Sequence, residues 1–308
     1  MDFLDMIHKI HLARNSPSER MSGVRFSLWI SLSISRISVY IVQSVILLQL
    51  SVGISEAYRE QNFILQNASS DGSLSGTTER IQTTTPNSAE ISCNNEAVIL
   101  IHGFCRTHRD MLPLKQSLVS KGYRVITPDF PTFTGTLDDC SKKLAVELHK
   151  IDGTYDRIHF VGHSIGGLIL RQFLSGNRVH RLGRCVLIAT PNDGTELAAI
   201  VSRYFKPLVW IFKPYQALQP GGVEIPPPLN NPAPEMGALA GNNSNLFFGR
   251  LLKRENDGRV PVDSVPFEGM KECIVVPYGH REIHHRQDVA ELVHRFLQNG
   301  EFVVKSEE

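Results

Sequence analysis

From residue 97 onward the chain alternates short apolar runs with longer stretches of helical periodicity. The runs occupy 97–101, 123–127, 157–162, 185–189, 236–240 and 273–276. Each has the length of a strand and most are apolar on successive positions, the pattern of strands buried on both faces. The intervening stretches repeat apolar residues every three to four positions. Over 137–151 these are Leu137, Leu144, Ala145, Leu148 and Ile151, and over 289–297 they are Val289, Leu292, Val293, Phe296 and Leu297. Strands of this kind separated by helices predict an α/β fold with a mostly parallel, doubly wound sheet and helices on both faces.

The first third of the chain has a different texture. Residues 37–54 form an uncharged, largely apolar run preceded by Arg14, Arg20, Arg25 and Arg36. Eighteen residues is about the least that spans a bilayer as a helix, and basic residues on the leading side favour an N-terminus left in the cytoplasm. The run reads either as a signal anchor or as a signal peptide cut after Ser55-Glu56-Ala57. Both predict a membrane-anchored or exported protein whose remaining chain lies on the non-cytoplasmic side. Residues 58–96 are rich in Ser, Thr, Asn, Gln and Glu and poor in large apolar side chains, the composition of a flexible linker. The predicted organisation is therefore 1–57 basic region and hydrophobic segment, 58–96 linker, and 97–308 α/β domain with a cap over 196–235.

Composition narrows the range of functions. The 308 residues are 42% hydrophobic, enough for a large core, and a net charge of +1 gives no electrostatic basis for a nucleic-acid partner. The cysteines, at 93, 105, 140, 185 and 273, lack CxxC or zinc-ligand spacing, so no metal site is expected. Cys185 and Cys273 fall inside apolar runs and read as buried thiols, while a bridge among the other three stays open.

The chemistry centres on Gly162-His163-Ser164-Ile165-Gly166, which joins the run at 157–162 to a helical stretch beginning near Leu168. A Gly-x-Ser-x-Gly motif between strand and helix predicts a nucleophile elbow. The turn exposes the Ser164 hydroxyl and sets it at a helix N-terminus, where developing negative charge is favoured. His102-Gly103-Phe104 follows the first run. Its loop supplies one predicted oxyanion donor, the N–H of Phe104; the other is the N–H of Ile165, next to the nucleophile. His102 reads as a brace for that loop rather than a base. Asn256-Asp257-Gly258 and Tyr278-Gly279-His280 follow later strands, so Ser164, Asp257 and His280 occur in the chain order of a Ser–Asp–His triad. Asp193, before Gly194, and Asp263 are rivals for the acid. His284 and His285 lie in a polar stretch and read as solvated surface.

Together these motifs resemble the α/β-hydrolase superfamily, on its lipase and esterase side, over residues 97–300. The resemblance implies a serine nucleophile, two backbone oxyanion donors and no cofactor. The two antiparallel strands that open the family's sheet have no clear counterpart before Ala97, so a minimal sheet is expected. A helical apolar stripe over 201–215 suggests a cap, and no charged pocket is evident. The expected substrate is thus a small-molecule or lipid carboxylic ester of an apolar acid. Alternatives are a membrane-associated acyltransferase or lipid-remodelling enzyme, or a non-catalytic binding protein on the same fold.

Overall fold

The computed structural model describes residues 95–204, 213–221, 224–244, 249 and 252–303. They belong to a compact unit spanning Ser88–Glu308. The predicted membrane segment at 37–54 and nearly all of the linker lie outside the described residues. Among the described residues, no helix is long and apolar enough to cross a membrane.

Six strands form one sheet: β1 Glu96–Ile101, β2 Arg124–Ile126, β3 Arg157–His163, β4 Leu182–Ile188, β5 Met236–Gly241 and β6 Glu272–Val276. Their order is β2-β1-β3-β4-β5-β6, and every neighbouring pair is parallel. The predicted runs each become a strand, with ends shifted by up to three residues. The principal helices are α1 Leu112–Ser120, α2 Leu137–His149, α3 Ile165–Gly176, α4 Glu196–Tyr204 and α5 Gln287–Asn299. Thr136 starts α2 with a capping box: its hydroxyl accepts from the Asp139 N–H, and the Asp139 carboxylate accepts from the Thr136 N–H.

The sheet is covered on both faces, as the unbroken apolar strands require. In β1, Val98 and Leu100 face one core with Leu114 and Leu118 of α1 and Val293 and Phe296 of α5. Ile99 and Ile101 face the opposite core with Leu144 of α2 and Leu168 and Phe173 of α3. The chain passes from β1 through α1 on one face to β2, then through α2 on the other face to β3. The winding therefore reverses between β1 and β3. Loops that leave neighbouring strands toward opposite faces open a crevice at the strands' C-terminal ends. Phe104 and Ser164 follow the two strands that flank this crevice.

The cysteine expectations resolve in part. Cys140, Cys185 and Cys273 are free thiols. Cys185 is buried as predicted, whereas Cys273 is only half-buried on the edge-side strand β6. Cys93 lies outside the described residues. The apolar stripe at 201–215 lies mostly outside them too; the described part of the predicted cap contains α4, a 3-10 turn at Lys213–Leu218 and the loop into β5.

Candidate active site

Ser164 sits between β3 and α3 with φ 55° and ψ −126°, a conformation strained for a residue with a side chain. Its N–H donates to the Ile188 carbonyl at 2.8 Å, which ties the elbow to β4. The flanking glycines are required by contact. A Cβ on Gly162 would lie 2.6 Å from the Gly166 backbone, and one on Gly166 would lie 2.3 Å from the Ile101 carbonyl. The strand and helix can cross this closely only where both positions lack side chains.

Asp257 and His280 lie on the loops following β5 and β6. His280 Nδ1 is 2.7 Å from Asp257 Oδ2, and His280 Nε2 is 3.0 Å from Ser164 Oγ. All three residues are buried: Ser164 is 8% exposed, Asp257 1% and His280 3%. The other carboxylate oxygen of Asp257 accepts from the N–H groups of Arg259 and Val260 at 2.9 and 2.7 Å. The His280 N–H donates to the Asp257 carbonyl at 2.9 Å, so backbone and side chain both join the two loops. With Nδ1 facing a carboxylate that only accepts, the imidazole carries its proton there and Nε2 is left to accept from the serine.

The two rival acids have other surroundings. Asp193 is exposed, and Asp263 pairs with Arg254 at 2.6 Å. His102 is fully buried and braces its loop from both ring nitrogens. Nδ1 donates to the Gly103 carbonyl at 3.0 Å, and Nε2 accepts from the Phe130 N–H at 2.9 Å. Burial pushes its pKa down, in keeping with this neutral role.

The Gly103 carbonyl also accepts from the Thr132 hydroxyl at 3.1 Å and from the Arg106 N–H at 3.3 Å. In a trans peptide the N–H points opposite to the carbonyl. Pinning the Gly103 oxygen therefore orients the Phe104 N–H. Gly103 packs closely against the elbow, since a Cβ there would lie 3.4 Å from Ser164 Cβ. Ile165 is the first residue of α3, so its N–H has no acceptor within the helix. Gly103, Phe104, Ser164 and His280 line one cleft.

Two features depart from the sequence reading. His284 is buried, not solvated: its ring stacks on His163 at 3.7 Å, and Nε2 meets Asp110 Oδ2 at 3.1 Å. Desolvation holds the His284 pKa down to about 4 and that of His163 well below the ordinary range, while the two facing histidines hold the Asp110 carboxyl far below its usual value. Asp110, His284 and His285 could together offer three ligand atoms to a metal, but each is already paired within the cluster. The second departure is charge. Arg106, Arg259 and Arg281 line the same cleft as Ser164. Each follows a predicted site residue, Phe104, Asp257 or His280, by one or two positions, a spacing visible in the sequence.

Comparisons with known proteins agree with this architecture. A search of curated sequences finds no match. The mature form of Bacillus licheniformis lipase BlEst2 superposes with a TM-score of 0.56 at 20% identity, covering 67% of this chain and 91% of that one. Its propeptide form gives 0.58 at 18%, covering 70% and 51%. Phospholipase PlaB from Legionella pneumophila gives 0.50 at 17%, covering 66% and 59%. At these identities the likeness is one of fold. The model of the Alpha/beta hydrolase family matches residues 98–292, and with that match the chain belongs to the alpha/beta hydrolase family.

Proposed function

We propose that the chain is a serine hydrolase that cleaves carboxylic esters of apolar acids through an acyl-enzyme. The observation that carries this reading is the continuous line from Ser164 Oγ through His280 to Asp257. Ser164 Oγ attacks the ester carbonyl as His280 Nε2 takes its proton. The resulting oxyanion accepts from the N–H groups of Phe104 and Ile165. The carbonyl then re-forms, the alkoxide leaves, and His280 returns the proton to it. Water, activated by the same nitrogen, releases the acid and regenerates the serine. Asp257 stays ionised, holds the tautomer and stabilises the imidazolium; its second oxygen is already occupied by two backbone N–H groups.

A fluorophosphonate probe should label Ser164. Ser164→Ala should abolish labelling and lower kcat/KM toward p-nitrophenyl esters by about 10⁴–10⁶-fold with the fold intact. Ordinary turnover in that variant would overturn the reading.

The hydrophobic segment at 37–54 is the proposed membrane or export element, with the catalytic domain on the non-cytoplasmic side. Its support is the uncharged run behind four arginines. Retention in the pellet after alkaline carbonate supports an anchor. A soluble product beginning near Tyr58 supports cleavage, and an uncleaved, freely soluble chain refutes both.

A further inference from the structure

Among the described residues, the three arginines that line the cleft with Ser164 have few acidic partners. Among the described residues, the guanidinium groups of Arg259 and Arg281 form no hydrogen bond to a carboxylate and no ion pair, and Arg106 approaches only Asp110, at 3.9 Å. Both acids within the cluster are committed elsewhere. Asp257 is engaged by His280 and two backbone N–H groups. Asp110 is engaged by His284 and His285.

Arg259 is only partly exposed, and its backbone is fixed at both ends of the residue: its N–H donates to Asp257, and its carbonyl accepts from the Thr195 hydroxyl at 2.7 Å. Burial and repulsion from Arg106 and Arg281 push its pKa down. Arg281 is exposed and Arg106 partly so, and their repulsion is felt most by the more buried Arg259; it opposes folding, and an arriving anion would relieve it. Guanidinium groups are also suited to paired hydrogen bonds with phosphate oxygens.

Position indicates which part of a substrate such an anion would occupy. Arg281 adjoins His280, and Arg259 lies two residues beyond Asp257. Those loops carry the group that returns the proton to the leaving alcohol. We infer that the cleft binds a phosphate on the alcohol side of the scissile ester, so that the preferred substrate is an apolar acid esterified to a phosphate-bearing alcohol. This inference rests on the serine hydrolase reading and specifies its substrate class.

The test compares 1-decanoylglycerol with 1-decanoylglycerol 3-phosphate below their aggregation concentrations. The phosphate ester should have a kcat/KM at least about 10-fold higher, the scale of a charge-assisted contact. Arg259→Gln and Arg281→Gln should each bring the ratio toward one. Because a ratio cancels general damage to the Ser164 chemistry, it isolates anion recognition. Added salt should compress it, though less than for an exposed pair. Equal kcat/KM for both esters in the native enzyme would overturn the inference, even if inorganic phosphate inhibits, since that would mark a site for the free ion.

A second measurement stands apart from turnover. Ser164→Ala, titrated calorimetrically, should bind octyl phosphate in preference to octanol, and Arg281→Gln in that background should weaken octyl phosphate about 10-fold. Absence of any ester turnover combined with this binding would refute the hydrolase reading alone. Turnover without preference, or octyl phosphate binding indifferent to the arginines, would refute the phosphate site alone.

Discussion

His163 Nε2 donates to the backbone carbonyl of His280 across 3.0 Å, so the strand that leads into Ser164 also holds the loop that bears His280. His163 lies under the site, between His280 and the stacked ring of His284. Its bond fixes the His280 backbone, and its own side chain belongs to the lining of the cleft beside Ser164. His163→Phe keeps the planar ring but removes the donor. The expected result is a fall in kcat of up to about 10²-fold, the cost of misplacing a reacting group slightly, with little change in KM. Slower fluorophosphonate labelling at unchanged thermal stability would mark positioning. Unaltered labelling would rule it out.

Asp257→Asn should be nearly as damaging as loss of the serine. The amide can still accept from Arg259 and Val260, so the loop persists, but the charge opposite the imidazolium is gone and the tautomer is no longer fixed. A drop of about 10⁴-fold in kcat is expected at neutral pH. Circular dichroism should be unchanged, and activity within a few-fold of native would exclude Asp257 as the acid.

The buried histidines make stability sensitive to acid. His284 faces Asp110, His285, His163 and His280, with Arg106 close to Asp110. Its folded pKa of about 4 lies below the ordinary value of 6.5. Between these values the unfolded chain binds the proton and the folded one does not, so stability is full above pH 6.5 and falls as pH drops toward 4. The loss from His284 alone should not exceed about 3–4 kcal/mol. His163 acts in the same direction, and the depressed Asp110 carboxyl adds a further loss at pH values below the ordinary carboxylate range. Urea midpoints at pH 7.5, 5.5 and 4.5 should decline in that order; a flat series would contradict the burial of these groups in their uncharged forms.

Gly166→Ala places a methyl group against the Ile101 carbonyl, where rigid backbone stands on both sides. Unlike a clash with a flexible side chain, this one is relieved only by moving α3 away from β1. The expected cost is at or above the upper end of about 1–3 kcal/mol, together with loss of activity as the elbow shifts. Thermal denaturation and ester turnover measure the two effects, and a variant with native values for both would show that the crossing tolerates a side chain.

Much of this was legible along the chain because it depends on local pattern. The parallel sheet followed from apolar runs of strand length with helical spacing between them, since a strand buried on both faces has no polar side to show. The elbow followed from two glycines flanking a serine at a strand-to-helix junction. The chain order of Ser164, Asp257 and His280 narrowed the site residues, because each follows a strand of one parallel sheet and so emerges at the same edge. Tertiary structure decided what depends on distant partners. His284 reads as surface among Arg281, Glu282 and Arg286, yet it is buried because Asp110, far away in sequence, supplies its partner and His163 its stacking surface. The orientation of the Phe104 peptide came from His102 and Thr132 converging on one carbonyl. The arginines that charge the cleft stood beside the predicted site residues all along. Sequence cannot tell which loops will meet; only their packing brings Arg106, Arg259 and Arg281 to the lining of one cleft with Ser164.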